Sequence, residues 1–151
     1  MISVDTNLLL AALVTSHEMN APASCFIIDL SEREDVAISE FVLLELYGLL
    51  RNPAVMTKPL SAPLAVKTCQ SFRNHPRWRL VGFTAGSRGL HDQLWANAGT
   101  PDLPRRRIYD MRLALTLLKH GVTEFATVNV KDFQDMGFKK VWNPLVSENG
   151  K

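Results

Sequence analysis

The chain has 151 residues, 46% of them hydrophobic and 21% charged, with a formal net charge of +2. That is enough for one domain, expected over 1–151, with a substantial core, and it excludes both a disordered chain and a partner chosen by net charge alone. Cys25 and Cys69 have no metal-ligand spacing and no secretory leader accompanies them, which points to a reduced, cytoplasmic protein; the apolar run over 8–14 is far short of the ~20 residues that span a bilayer.

Residues 2–4 read as a short buried strand, and Asp5-Thr6-Asn7 offers a turn and cap before a helix over 8–14. Pro22 suits the first turn of a helix over 21–31, whose apolar stripe is Phe26, Ile27 and Leu30. Residues 36–38 form a second strand, and Ser39 caps a strongly apolar helix from 40 to about 51, stopped by Asn52-Pro53. Beyond a loop, Ser61 caps a helix with Ala65, Thr68, Cys69 and Phe72 on one face. A third strand is expected over 79–82 and a helix from Ser87 to Gly99. The helix over 105–120 has Ile108, Met111, Leu115 and Leu118 at helical spacing and Gly121 as its terminator. Strands over 125–128 and 140–142 complete the pattern. Short buried strands alternating with helices indicate an α/β domain with a mainly parallel sheet, whose ligands collect at the carboxyl ends of the strands.

Against this pattern some acids are misplaced. Asp5 ends the first strand, Glu45 interrupts the apolar run 41–46, Asp110 heads the row Leu113, Ala114, Leu117, and Asp132 follows the strand over 125–128. Carboxylates on apolar faces persist when paired or bound to a cation, and no matching lysines or arginines share those rows. A bland reading exists for each acid. Asp5 and Asp132 serve equally as helix caps, Glu45 could extend its stem to solvent, and Asp110 could pair with Arg106 or Arg107. The constellation, rather than any member, indicates a divalent metal and a metal-dependent enzyme.

Taken in order, these segments resemble the PIN domain, and within it the VapC-type toxins of bacterial toxin–antitoxin pairs. The matching pieces are Val4-Asp5-Thr6-Asn7, Glu40-Phe41-Val42-Leu43-Leu44-Glu45-Leu46, Tyr109-Asp110 with Leu113-Ala114, and Ala126-Thr127-Val128-Asn129-Val130-Lys131-Asp132-Phe133. Gly137-Phe138 and Val141-Trp142-Asn143-Pro144-Leu145 resemble the tail of one VapC subgroup. The resemblance implies a three-layer α/β/α sandwich and a ribonuclease that cuts RNA by attack of water, leaving a 5′-phosphate. It maps the first three acids to Asp5, Glu45 and Asp110. The fourth place is taken here as Asp132, with Asn129 or Thr6 as an auxiliary. It also implies a cognate antitoxin and, commonly, pairing as homodimers, which exposed Leu and Ile on the first helices would fit.

Carboxylate-only ligation suits a hard, water-rich cation, Mg2+ or Mn2+, rather than Zn2+, and the four histidines are scattered without zinc spacing. Arg105, Arg106 and Arg107 are candidates for the RNA backbone, since cations at a helix start oppose the dipole unless an anion binds; a solvated face, salt bridges to Asp102 and Asp110, or an antitoxin tail explain them as well. Lys131 is a second phosphate candidate with an ordinary exposed-lysine alternative. Trp78, Trp95 and Trp142 could stack bases, although the core is the expected place for Trp95 and Trp142. The competing readings are a non-toxin PIN nuclease acting in RNA or DNA processing and a non-catalytic PIN scaffold. A haloacid-dehalogenase-like phosphatase is excluded because Asn7 stands where its second Asp belongs.

Overall fold

A computed structural model describes residues 1–146 of the chain. Five strands form one parallel sheet in the order β3-β2-β1-β4-β5: β1 Ile2–Val4, β2 Val36–Ser39, β3 Arg79–Val81, β4 Glu124–Ala126 and β5 Lys140–Trp142. The central strands are buried on both faces, as a parallel sheet covered by helices requires: every residue of β1 and β2 is buried. This is the α/β/α arrangement with a short parallel sheet that the sequence pattern implies.

Helices α1 Thr6–Leu13 and α2 Asn20–Ser31 connect β1 to β2, while α3 Glu40–Leu50 and α4 Ala62–Arg73 connect β2 to β3. The long return from β3 to β4 carries α5 Ser87–Ala98 and α6 Arg107–Lys119, and α7 Val130–Phe133 lies between β4 and β5. Right-handed crossovers put α1 to α4 on one face and α5 to α7 on the other, because the chain reverses its direction across the sheet after β3. The helix contacts follow that division, α1 meeting α2 and α3, and α6 meeting α5 and α7. The core closes around Leu8, Leu9, Leu46 and Leu50 on the first face and Leu117 on the second. Phe125 of β4 stacks on Phe138 and tilts against Phe133, with ring centroids 5.3 and 4.7 Å apart.

Several boundaries follow the expected chemistry. Ser39 Oγ accepts from the Phe41 amide at 3.2 Å and starts α3, and Ser61 Oγ accepts from the Leu64 amide at the start of α4. Gly121 ends α6 at a φ of 82°, in the left-handed region glycine favours. Others differ. Strand β4 stops at Ala126, and Thr127 follows it with its amide still donating to the Trp142 carbonyl at 2.9 Å. Helix α6 begins at Arg107, leaving Arg105 and Arg106 in the preceding turn. Helix α7 starts at Val130, which makes Asn129 its flanking residue and puts Asp132 inside its first turn instead of at a cap. Trp95, expected in the core, is 65% exposed, while Trp78 is buried and donates from its ring N–H to the Leu30 carbonyl at 3.0 Å. No helix among the described residues is long and apolar enough to cross a membrane.

Candidate active site

The carboxyl edge of the sheet opens into a cleft of about 870 Å³ that receives all four acids picked out by the sequence. Each arrives on a different element. Asp5 stands at the end of β1 and caps α1, Glu45 projects from the middle of α3, Asp110 from the first turn of α6, and Asp132 from α7. The cleft therefore draws acids from both helical layers and from the central strand between them.

Asp5 is buried and held from several sides. Its Oδ1 accepts from the Thr6 amide at 2.8 Å, and its Oδ2 accepts from Asn7 Nδ2 at 2.8 Å and from the Thr127 hydroxyl at 2.6 Å. Thr127 Oγ1 in turn accepts from the Asn129 amide at 3.0 Å and from Asn7 Nδ2 at 3.2 Å, and Asn7 Oδ1 accepts from the Val128 amide at 3.3 Å. Despite those donors, burial raises the Asp5 carboxyl from 3.8 to about 6, with the charges of Glu45 and Asp110 adding to the rise. Asp110 is also raised, first by burial and then by the charges of Asp132 and Glu45, while Arg107 opposes the shift. The acids thus feel one another across the cleft.

Glu45 is not buried in the core, as its apolar neighbours suggested. The core face of α3 is Val42, Leu43, Leu46 and Leu50, whereas Phe41, Glu45 and Leu49 line the cleft. The apolar stripe around Glu45 is therefore a wall of the site. Thr6 anchors the carboxylate, its hydroxyl donating to Glu45 Oε2 at 2.6 Å. Asp132 is exposed but still lines the cleft, beside Asn129. The ion pair considered for Asp110 does not form: the salt bridges among the described residues are Arg33–Asp35, Arg73–Glu40 and Arg77–Glu32. Of the arginine block, Arg105 and Arg106 line the cleft, while Arg107 donates from its guanidinium to the Asp132 backbone carbonyl at 2.9 Å and ties α6 to α7. Lys131 is exposed on α7 and outside the cleft lining.

Sequence reasoning missed Thr127, Asn7 and Arg112 as site residues. Thr127 was hidden by the assumption that β4 continued through it; a hydroxyl next to a strand's carboxyl end was the available signal. Arg112 lines the cleft with its guanidinium carbon 3.9 Å from the Phe41 ring centroid, and nothing in the sequence marks a single arginine on a mixed helix.

No group of three or more His, Cys, Asp or Glu side chains among the described residues is already gathered as a ligand set for a metal ion. The donor chemistry nevertheless fits a cation that keeps much of its water shell. Mg2+ and Mn2+ take one or two carboxylates directly and fill the remaining positions with water. The cleft offers oxygen donors only, with neither histidine nor cysteine on its walls. Two of its carboxyls are raised by burial and mutual repulsion, and a cation relieves both.

No protein-family model matches the sequence. The chain is 46% identical over 148 residues to Ribonuclease VapC24 of Mycobacterium tuberculosis, in strains CDC 1551 / Oshkosh and H37Rv, covering 98% of this chain and 99% of the relative. Among solved structures it is similar to Mycobacterium tuberculosis VapC20, a sarcin-ricin loop cleaving toxin, with a TM-score of 0.66, 22% identity, and 91% of this chain and 96% of that one covered. FitAB bound to a DNA fragment gives a TM-score of 0.66 at 20% identity over the whole of both chains. VapBC2 of Rickettsia felis, bound to a DNA fragment from its promoter, gives 0.62 at 19% identity over 95% and 98%. At these identities the solved structures speak for the fold, and the near-full-length relative speaks for the family. The chain belongs to the VapC family of ribonuclease toxins.

Proposed function

We propose that the chain is an Mg2+- or Mn2+-dependent endoribonuclease that hydrolyses RNA phosphodiester bonds, acting as the toxin of a toxin–antitoxin pair. The observation that carries this reading is the convergence of Asp5, Glu45, Asp110 and Asp132 on one open cleft without a neutralising salt bridge among the described residues. Asp5, Glu45 and Asp110 would hold the cation, with Asp132 a further ligand or a group that orients water. When bound, it supplies a Lewis acid that lowers the pKa of water and offsets charge on the scissile phosphate.

The rest belongs to the chain. Thr127, Asn7 and the Thr6 amide fix both oxygens of Asp5, and Thr6 fixes Glu45, so two of the acids are oriented before substrate arrives. Asp132 and Asn129, on the same cleft lining as Asp110, would hydrogen-bond an attacking water and steer it toward the phosphate. Attack by water rather than by the ribose 2′-hydroxyl leaves a 5′-phosphate. Arg105 and Arg106 sit on the cleft wall where a polyanion would pass.

The antitoxin would be a protein that occupies this cleft or its rim. Exposed Leu13 on α1 and Ile28 on α2 support pairing of two copies. The deciding experiment is RNA cleavage by chelator-stripped protein with and without added Mg2+ or Mn2+, beside Asp5→Asn and Asp110→Asn. Metal-dependent cutting, lost in both variants and yielding 5′-phosphate ends, is the expected result. Cutting that persists in Asp110→Asn sinks the assignment of the site.

A further inference from the structure

One wall of the cleft carries a cation and an aromatic ring, Arg112 and Phe41, that meet a second ring, Phe83, outside the cleft lining, and the hydrolytic chemistry leaves all three unused. Arg112 lies two residues beyond Asp110, and its guanidinium carbon is 3.9 Å from the centroid of Phe41 and 5.8 Å from that of Phe83. The two rings meet edge to face, 5.8 Å apart at 89°. Phe41 stands one helical turn before Glu45 on α3, so this cluster adjoins two of the acids. Phe83 follows β3 and is 80% exposed, a large apolar surface held upright by Phe41 with nothing covering it among the described residues.

The chemistry of such a cluster is specific. The Phe41 ring 3.9 Å from its guanidinium carbon holds the Arg112 head group in place, and Arg112 makes no salt bridge among the described residues, which leaves its N–H groups free of a carboxylate partner. A guanidinium held there without a carboxylate partner matches a phosphate. An exposed phenyl face beside it matches a base, and only an unpaired base can reach it.

We propose that Phe83, Phe41 and Arg112 form a subsite for an unpaired nucleotide flanking the scissile bond, with its base on the outer face of Phe83 and a phosphate on the edge of Arg112. The proposal rests on the ribonuclease reading and adds where the substrate strand leaves the acids. Phe83 and Arg112 act as positioning residues and take no part in bond cleavage.

The test uses full-length protein in chelator, with fluorescein-labelled single-stranded RNA 12-mers of random sequence followed by anisotropy across a salt series. Phe83→Ala and Arg112→Gln each weaken binding by roughly tenfold, and Phe83→Trp restores it. Arg112→Gln also flattens the dependence of log Kd on log salt by about 0.7, the loss of one phosphate contact on a single strand. Binding of a duplex of the same RNA is unchanged in Phe83→Ala. Because Phe83 is exposed, that variant carries the test even if Arg112→Gln fails to fold. If wild-type protein binds the 12-mers and both variants match it, or single strand and duplex weaken alike, the subsite is wrong and the ribonuclease reading stands. If wild-type protein neither binds the 12-mers nor cuts total RNA with Mn2+, the ribonuclease reading falls and takes the subsite with it.

Discussion

Asp5 holds two opposed demands in one side chain. On the proposed metal-dependent mechanism it must be ionised to hold a cation, yet burial raises its carboxyl from 3.8 to about 6. A carboxyl whose folded pKa lies above its unfolded one favours the fold while protonated. That contribution is complete below about 4 and lost as pH rises to about 6, leaving a penalty on the order of 3 kcal/mol at neutral pH. Metal-free protein is therefore expected to lose thermal stability between pH 4 and 6, and Asp5→Asn to flatten most of that fall, with Asp110→Asn removing a further part. Melting curves in chelator decide it, and an unaltered slope in Asp5→Asn rules out Asp5 as the source. Thr127 supports the same carboxylate. Thr127→Val keeps the shape but removes the 2.6 Å hydrogen bond to Asp5 and the acceptor for the Asn129 amide. It should weaken Mn2+ binding by about 10- to 100-fold, the usual effect of losing a group that orients a ligand, while Thr127→Ser stays near wild type in the same calorimetric titration.

At the scale of elements, the capping and strand chemistry was legible because it is local. Asp5, Ser39 and Ser61 each start the helix expected of them, and residues 36–38 read as a buried strand because they have no polar face to offer; the observed strand adds Ser39. The failures are tertiary. Glu45 reads as buried because helical neighbours are apolar, but only the partner helix decides whether an apolar stripe becomes core or cleft wall. The same holds for Arg112, which gains meaning only when α3 and β3 bring Phe41 and Phe83 to it, and for Trp95, whose exposed face the helical spacing did not disclose. Where α7 begins was a matter of one turn's register, and that register puts Asn129 before the helix and Asp132 within it. Ser39 tests how far a cap serves the site. It is fully buried and its hydroxyl starts the helix that carries Glu45. Ser39→Ala should cost about 1 kcal/mol, a melting shift of roughly 2–4 °C for a domain of this size. Activity should fall less than in Glu45→Gln; an equal fall would mean that the cap, more than the carboxylate, sets the geometry.

The whole molecule is divided by its sheet, and the acids are divided with it: Glu45 comes from the layer of α1 to α4, Asp110 and Asp132 from the layer of α5 to α7, and Asp5 from the central strand. Without a cation, the carboxyl edge is where like charges from the two layers face one another, as the mutual effects of Asp5, Glu45, Asp110 and Asp132 show. A cation held there joins both layers to the strand that separates them, so it should stabilise the entire fold rather than order a loop. An ion that binds only the folded chain adds about 2.7 kcal/mol at a concentration 100 times its dissociation constant, which for this length is a rise of roughly 5–10 °C in melting temperature. Asp5→Asn and Asp110→Asn should each abolish most of that rise, although they act from different elements, because either loss breaks the same bridge. Calcium-free melting curves in Mg2+ or Mn2+, matched for ionic strength with sodium chloride, make the comparison. A rise that survives in both variants together would place the ion elsewhere and leave the four acids without the role that explains their cost.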